Sequence, residues 1–267
     1  MSGPTPLNAR ITTREDLGGG LFILRAVYDS GAHLEFEPGQ FVNLGLPPRR
    51  AEDESGQTGL VKRPYSIASA PKDAEIEFII RVVDGGALTP LLMELQVDDR
   101  VWMEERAIGK FTLAMLPDEP VAAERDLVMV STGTGIAPFI SMLRQFEPRQ
   151  LWRRFVLING VRIETDLGYR AELEAMAAER DDVVYVPILS KPGTDGRWTG
   201  LTGRVDSVLA PEVYEAQVGA TLEPQHCQVF LCGNPNMIDE VEQDLDGRGF
   251  KRHRKRDPGQ LHLERYW

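Results

Sequence analysis

Two short segments carry residue types suited to holding a phosphorylated, aromatic ligand. Arg63-Pro-Tyr-Ser66 brings together a guanidinium, a flat amphipathic ring and a hydroxyl. Arginine grips a phosphate through a fork of N–H donors, and a tyrosine face can stack on a ring. In an extended chain Arg63 and Tyr65 point to one face and Ser66 to the other. An ordinary barrel strand would show the same residues. The second segment is Ser131-Thr-Gly-Thr-Gly-Ile-Ala-Pro-Phe139. Gly133 and Gly135 permit a tight turn and close backbone approach, and Pro138 suits a helix start. A helix N-terminus at the end of a parallel strand offers its free amides to a pyrophosphate. A plain strand-to-helix turn is the alternative. The spacing departs from G-x-G-x-x-G, with Pro138 where the third glycine would stand.

The flanking sequence supplies the elements that must position these groups. The first half reads as short strands with turn punctuation. Leu21–Tyr28, Phe41–Leu46, Glu75–Val83 and Asp99–Glu105 are rich in β formers or alternate acid with apolar. That spacing suggests a sandwich or small barrel. Leu88 to Leu95 reads as a helix, with Thr89 as N-cap and Pro90 at its first position. The second half changes rhythm. Short apolar runs at Leu127–Val130, Phe155–Ile158, Val183–Leu189 and Val229–Cys232 alternate with helical stretches at Pro138–Phe146, Tyr169–Arg180 and Pro235–Leu245. Apolar strands separated by helices imply a parallel sheet covered on both faces. The change falls near Leu116-Pro-Asp-Glu-Pro120, which puts one domain at 1–118 and a second at 119–267.

Composition narrows the function classes. The 267 residues carry 30 Lys+Arg against 41 Asp+Glu, a formal charge of −11. That surplus argues against a nucleic-acid binder working by global charge. No apolar run approaches the roughly 20 residues a membrane helix needs, and the N-terminus shows no apolar signal segment. The expected setting is therefore cytoplasmic. Two cysteines, Cys227 and Cys232, exclude a disulfide scaffold and a four-thiolate metal site within the chain, so no metal is expected. The charge is uneven. Lys251-Arg-His-Arg-Lys-Arg256 contributes +5 to a total of −11, so the remainder stands at −16.

R-x-Y-S ahead of G-T-G-I-A-P-F, followed by Leu231-Cys-Gly-Asn-Pro-Asn-Met237 and a terminal Glu264-Arg-Tyr-Trp267, resembles the ferredoxin–NADP⁺ reductase family. The four motifs stand in family order over nearly the whole chain. The Tyr-Trp ending is similar to the compact bacterial members, also called flavodoxin/ferredoxin–NADP⁺ reductases. The resemblance implies two domains: an antiparallel β-barrel binding FAD, then an α/β parallel-sheet domain binding NADP(H), with a C-terminal segment returning to the FAD. Arg63 would pair with the FAD pyrophosphate, Tyr65 would stack on the isoalloxazine, and Ser66 would hydrogen-bond near N5. Gly86 and Thr89 would form a second phosphate turn. Thr134 and Gly135 would meet the pyrophosphate and nicotinamide side of NADP(H). Cys232 would sit beside the nicotinamide–flavin contact. Tyr266 and Trp267 would lie against the FAD, with Glu264 nearby as an electrostatic or proton-relay group. Ser66, Cys232 and Glu264 are thus the expected catalytic residues. A buried apolar Cys232, and a last strand plugged by Trp267, are the plainer readings of the same residues.

Cofactor choice follows from charge. An adenosine 2′-phosphate needs cations, whereas NADH sites place an acid on the ribose. Here the strand at 155–159 leads to Arg162, the next to Lys191, and Arg204 follows. By position these resemble the bacterial 2′-phosphate clamp, with Arg170 in reserve. Lysine would bind there as a point charge rather than a fork. Taken singly, each is also an ordinary solvated cation. The expected reaction is hydride transfer between NADP(H) and FAD, then single-electron exchange with an acidic ferredoxin or flavodoxin. The basic run Lys251 to Arg256 is the candidate docking segment on a monomer, or else a solvated charged loop. Two other functions remain: a flavin reductase or oxygenase reductase component, and a non-catalytic flavin-binding regulatory module.

Overall fold

The computed structural model describes residues 6–48, 59–113, 124–145, 152–194 and 196–266. They fall into two compact units. The first comprises residues up to Leu113 together with Ile140–Gln145, and the second comprises Ala114–Phe139 and Phe146–Trp267. The expected boundary at 116–120 and the terminal Trp267 lie outside the described residues.

The first unit is an antiparallel sheet of six strands: β1 (Ala9–Gly18), β2 (Leu21–Tyr28), β3 (Phe41–Leu46), β4 (Val61–Ser66), β5 (Ile76–Arg81) and β6 (Arg100–Met103). Their order is β4-β3-β6-β1-β2-β5. The two outer strands meet just beyond β4, where the Ala68 N–H donates to the Glu77 carbonyl on β5 at 2.8 Å. Inward residues such as Phe22, Leu24, Val42, Leu44 and Phe78 form one apolar core. β1 was not expected from its sequence, because a polar tail follows Ile11. Its pairing with β2 on one side and β6 on the other recruits it. The β1–β2 turn uses Gly18, Gly19 and Gly20, all at positive φ. The short helix α1 (Thr89–Glu94) is capped by Leu88 without a side-chain bond. Thr89 is therefore not the N-cap. Its hydroxyl turns back and accepts the Val83 N–H at 2.9 Å.

The second unit is a parallel sheet of β7 (Asp126–Thr132), β8 (Arg154–Val161), β9 (Val183–Leu189), β10 (Leu201–Thr202), β11 (Cys227–Gly233) and β12 (Leu261–Arg265). The order is β10-β9-β8-β7-β11-β12, and every pairing is parallel. The helices are α2 (Ala137–Gln145), α3 (Arg170–Glu179), α4 (Val205–Val208), α5 (Pro211–Val218) and α6 (Pro235–Gly247). Strands buried on both faces explain the continuous apolar runs at β7, β8 and β11. α4 and α5 escape a sequence reading because each buries only two side chains, Val205 and Val208 in one, Tyr214 and Val218 in the other. β12 pairs along β11 as an edge strand over Leu261–Arg265.

Gly39 sits at φ +101, where a Cβ would collide with the Phe111 carbonyl oxygen. Gly39→Ala should lower unfolding stability by more than about 2 kcal/mol, since both the conformation and the contact oppose a side chain. Urea denaturation followed by far-UV circular dichroism checks this.

Candidate functional site

Each unit carries its own group of candidate residues. In the first, β3–β4 pairing sets Tyr65 opposite Val42 and Arg63 opposite Leu44. Tyr65 is half-buried and meets Phe78 edge to face, with ring centroids 6.5 Å apart. Burial pushes its phenol well up, against a downward pull from Arg63. The ring is thus a neutral, oriented plate. Arg63 is exposed, and its guanidinium donates to the Lys62 carbonyl at 2.8 Å. Ser66 is 8% exposed. In the second turn, a Cβ at Gly86 would stand 2.9 Å from the Val83 carbonyl oxygen and 3.2 Å from Thr89 Oγ1. Thr89 Oγ1 accepts the Val83 N–H, and its own proton is not used in that bond and can serve as a donor. A phosphate, which only accepts, suits such a donor.

In the second unit, the glycine turn follows β7 as a 3₁₀ turn over Gly133–Ile136 and runs into α2. Gly133 has φ +55. A Cβ at Gly135 would lie 2.5 Å from the Cys232 carbonyl oxygen. Only glycine lets the turn lie against the end of β11. Gly233 mirrors it, with the Thr132 hydroxyl occupying the space of a side chain. That hydroxyl also accepts the Asn234 N–H at 2.9 Å, and Asn234 caps α6 through the N–H groups of Asn236 and Met237. Thr132 and Asn234 were missed in the sequence. The signal available was an Asn immediately before the Pro that opens a helix.

Strand register places Cys232 beside Glu264. Cys232 is fully buried. Burial pushes its thiol well up and the Glu264 charge adds to this, while a hydrogen bond from Tyr266 opposes it. Cys232 is therefore a thiol, not a thiolate. Burial raises the Glu264 carboxyl to about 7, and its Oε2 has no hydrogen-bond partner. Tyr266 is tied by its N–H to the Gly233 carbonyl at 3.0 Å.

The cations divide. Arg162 and Lys191 are exposed at the C-terminal ends of β8 and β9. The Lys191 N–H donates to the Arg162 carbonyl at 2.8 Å, so the two backbones run side by side. Arg204 precedes α4 and turns onto Glu240 and Asp206. Arg170 pairs with Glu164 and Glu174 and lies 5.2 Å from the Trp198 ring centre. The structure thus brings Arg162 and Lys191 together and commits Arg204 and Arg170 to carboxylates.

The basic run is pinned rather than loose. The His253 N–H donates to the Leu261 carbonyl at 2.8 Å. Its ring stacks on His262 at 4.5 Å, and His262 stacks on Phe230 at 4.2 Å. Lys251 pairs with Asp257 and Arg252 with Glu242, whereas Arg254, Lys255 and Arg256 are exposed. Among the described residues there is no helix long and apolar enough to cross a membrane and no His/Cys/Asp/Glu group arranged to hold a metal ion.

Residues 8–112 match the oxidoreductase FAD-binding domain family and residues 129–243 the oxidoreductase NAD-binding domain family. The glycine cradles and the Thr89 donor fit phosphate-bearing dinucleotides. The protein is thus an FAD- and NAD(P)-binding oxidoreductase. A flavodoxin/ferredoxin–NADP reductase of Buchnera aphidicola subsp. Baizongia pistaciae is 31% identical over 87% of this chain and 88% of its own. Ferredoxin–NADP reductase B of Sorangium cellulosum is 33% identical over 98% of both chains. A crystal structure of a ferredoxin NADP⁺ reductase from Neisseria gonorrhoeae with bound FAD and NADP has a TM-score of 0.84. It is 27% identical and covers 97% of this chain and 98% of that one. The chain belongs to the ferredoxin–NADP⁺ reductase family, and it is an enzyme.

Glu264 gives a pH signature. Its folded value lies above the ordinary 4.5, so the native state holds the proton more tightly than the unfolded chain. Its contribution to stability is present below about 4.5 and is lost as pH rises through about 7. Glu264→Gln removes that loss. Relative to the parent, the variant should gain on the order of 2 kcal/mol across this window and then level off. Denaturant titrations at pH 5 and pH 8 check the sign.

Proposed function

We propose that this chain is a ferredoxin/flavodoxin–NADP⁺ reductase that exchanges hydride with NADP(H) and single electrons with an acidic ferredoxin or flavodoxin. The observation that carries the reading is the meeting of three features at the C-terminal edge of one parallel sheet: the glycine turn, Cys232 and Glu264. When bound, FAD supplies the chemistry, because a flavin accepts two electrons as hydride and releases them singly. The chain's residues hold, orient and shield. Arg63, Gly86 and Thr89 hold the FAD phosphates, and Tyr65 covers one ring face, with Tyr266 and Trp267 as further FAD contacts. Ser66 offers a hydroxyl near the reacting atom. Thr134 and Gly135 take the nucleotide pyrophosphate. Cys232, buried and protonated, presents an uncharged wall to the nicotinamide. Glu264 keeps or yields a proton near neutral pH, which suits a relay. The domain limits are 1–118 and 119–267, and the protein acts in the cytoplasm as a monomer.

Anaerobic NADPH should bleach the yellow flavin, and added ferredoxin or flavodoxin should restore it. Much higher efficiency toward free flavin would replace the carrier reading with a flavin reductase.

The nucleotide preference rests on Arg162 and Lys191, since Arg204 is already engaged by two carboxylates. Arg162→Ala should raise KM for NADPH at least about tenfold more than KM for NADH, the loss of one charge-assisted phosphate contact. Steady-state kinetics with both nucleotides decides it, and equal effects on the two would refute the clamp.

Carrier docking at 251–256 depends on Arg254, Lys255 and Arg256. Arg254→Gln/Arg256→Gln should slow carrier reduction at low salt and flatten its salt dependence, while leaving reduction of the flavin by NADPH unchanged.

A further inference from the structure

Helix α2 begins at the glycine turn, yet its last six residues, Ile140–Gln145, belong to the barrel unit. There they grip the chain that directly follows Tyr65-Ser66. The buried Ser141 hydroxyl donates to the Ser69 carbonyl at 2.7 Å. The Arg144 guanidinium donates to the Ala68 carbonyl at 3.2 Å and to Glu77 Oε1 at 2.7 Å. Glu77 is 2% exposed, and its other oxygen takes Arg25 Nε at 2.6 Å. The Glu77 backbone grips the same stretch: its carbonyl accepts from the Ala68 N–H and its N–H donates to Ser69 Oγ. Ile67, Ala68 and Ser69 are all buried. The pair Ala68–Ser69 is thus held at both carbonyls, at the Ala68 N–H and at the Ser69 hydroxyl. A segment that only closed a sheet would need the backbone pair alone. The extra bonds converge two to three residues after Ser66, from side chains on a helix that the barrel's own strands do not supply.

We propose that Arg144, with Ser141, is a positioning residue for the flavin side of the reaction: it fixes the backbone after Tyr65-Ser66 and so sets the angle of the tyrosine plate and the place of the Ser66 hydroxyl. This rests on the reading that Tyr65 and Ser66 face the flavin. Arg144 acts through the Ala68 carbonyl and through Glu77, whose carboxylate it shares with Arg25. Arginine's planar fork reaches both acceptors at once, which a lysine's single ammonium does less well.

The test uses the FAD-loaded protein and reads the visible circular dichroism of the bound flavin together with anaerobic stopped-flow reduction by NADPH. Arg144→Met should alter the flavin dichroism and slow the limiting rate about tenfold, with KM for NADPH held within about twofold. Arg144→Lys, which keeps a cation on Glu77, should recover most of the rate. Ser141→Ala should move both readouts the same way by a smaller factor. Lower thermal stability of Arg144→Met with unaltered dichroism and rate would overturn the proposal, as would a raised KM with an unaltered rate, which would mark an effect on the glycine turn instead. Should Arg144→Met fail to fold with FAD, Ser141→Ala carries the test: shifted dichroism and a slower rate support the proposal, and parent-like values of both overturn it. Tyr65→Leu separates the two failures: an unchanged flavin dichroism there overturns the reading of Tyr65 itself.

Discussion

The barrel depends on one buried carboxylate. A six-stranded sheet becomes a barrel only if its edge strands meet, and unpaired edges carry rows of unmet N–H and C=O groups. Here the meeting point is Ala68 against Glu77. Desolvating the Glu77 carboxylate costs several kcal/mol, which Arg25 and Arg144 offset at 2.6 and 2.7 Å. An apolar trio of equal volume could be as stable, so the triad is poor evidence for stability. It is better evidence for register. A slip of one residue would turn Glu77 to the other face of β5 and strand both arginines. Deleting either arginine weakens the compensation of the buried carboxylate while the other still pairs with it, a smaller loss than the roughly 3–5 kcal/mol seen when a buried pair is broken outright. The seam is therefore fixed by electrostatics where backbone pairing alone would tolerate error.

The parallel sheet solves a different problem. At its C-terminal edge the ends of β7 and β11 lie side by side. Glycine at 135 and 233 removes the side chains that would hold them apart. Burial leads the causes that raise the proton affinities of Cys232 and Glu264, and the Glu264 charge adds to the first.

Local chemistry was legible in the sequence, and tertiary pairing was not. β2, β3 and β9 fall on the residues their composition marks, because apolar and β-branched runs bounded by turn residues have few other uses. The glycine turn stands at a strand–helix junction as its neighbours require. β1 was hidden because only Ala9 and Ile11 of its residues are buried, too few for a period to show. Arg144 lies in the last turn of α2, a common place for a cation. Nothing local links it to Glu77, 67 residues earlier. Thr89 shows the converse error: a good N-cap residue beside a proline, whose hydroxyl was claimed by the preceding loop instead. The clamp cations were legible as charges after strand ends, but not that Arg204 would face Glu240 across 36 residues.

The basic run shows why a count of charges is a weak guide to a field. Six consecutive residues from Lys251 suggest a compact positive patch in an acidic chain. Folding places that run against α6, where Asp239, Glu242 and Asp246 share an open groove of about 410 Å³ with Arg252 and Arg254. Glu242 takes Arg252, and Asp239 takes Arg265 from the neighbouring strand. The paired cations contribute a short-range dipole that salt at physiological strength screens within about 8 Å. The stacked histidines fix the run's base: His262, lowered to about 3 by burial, stays neutral and adds no charge. What projects is a tip of Arg254, Lys255 and Arg256 beside an acidic helix face. Such a juxtaposition attracts an acidic surface at one point and repels it at the next. A surface of this kind orients whatever acidic surface meets it more than it tightens the contact.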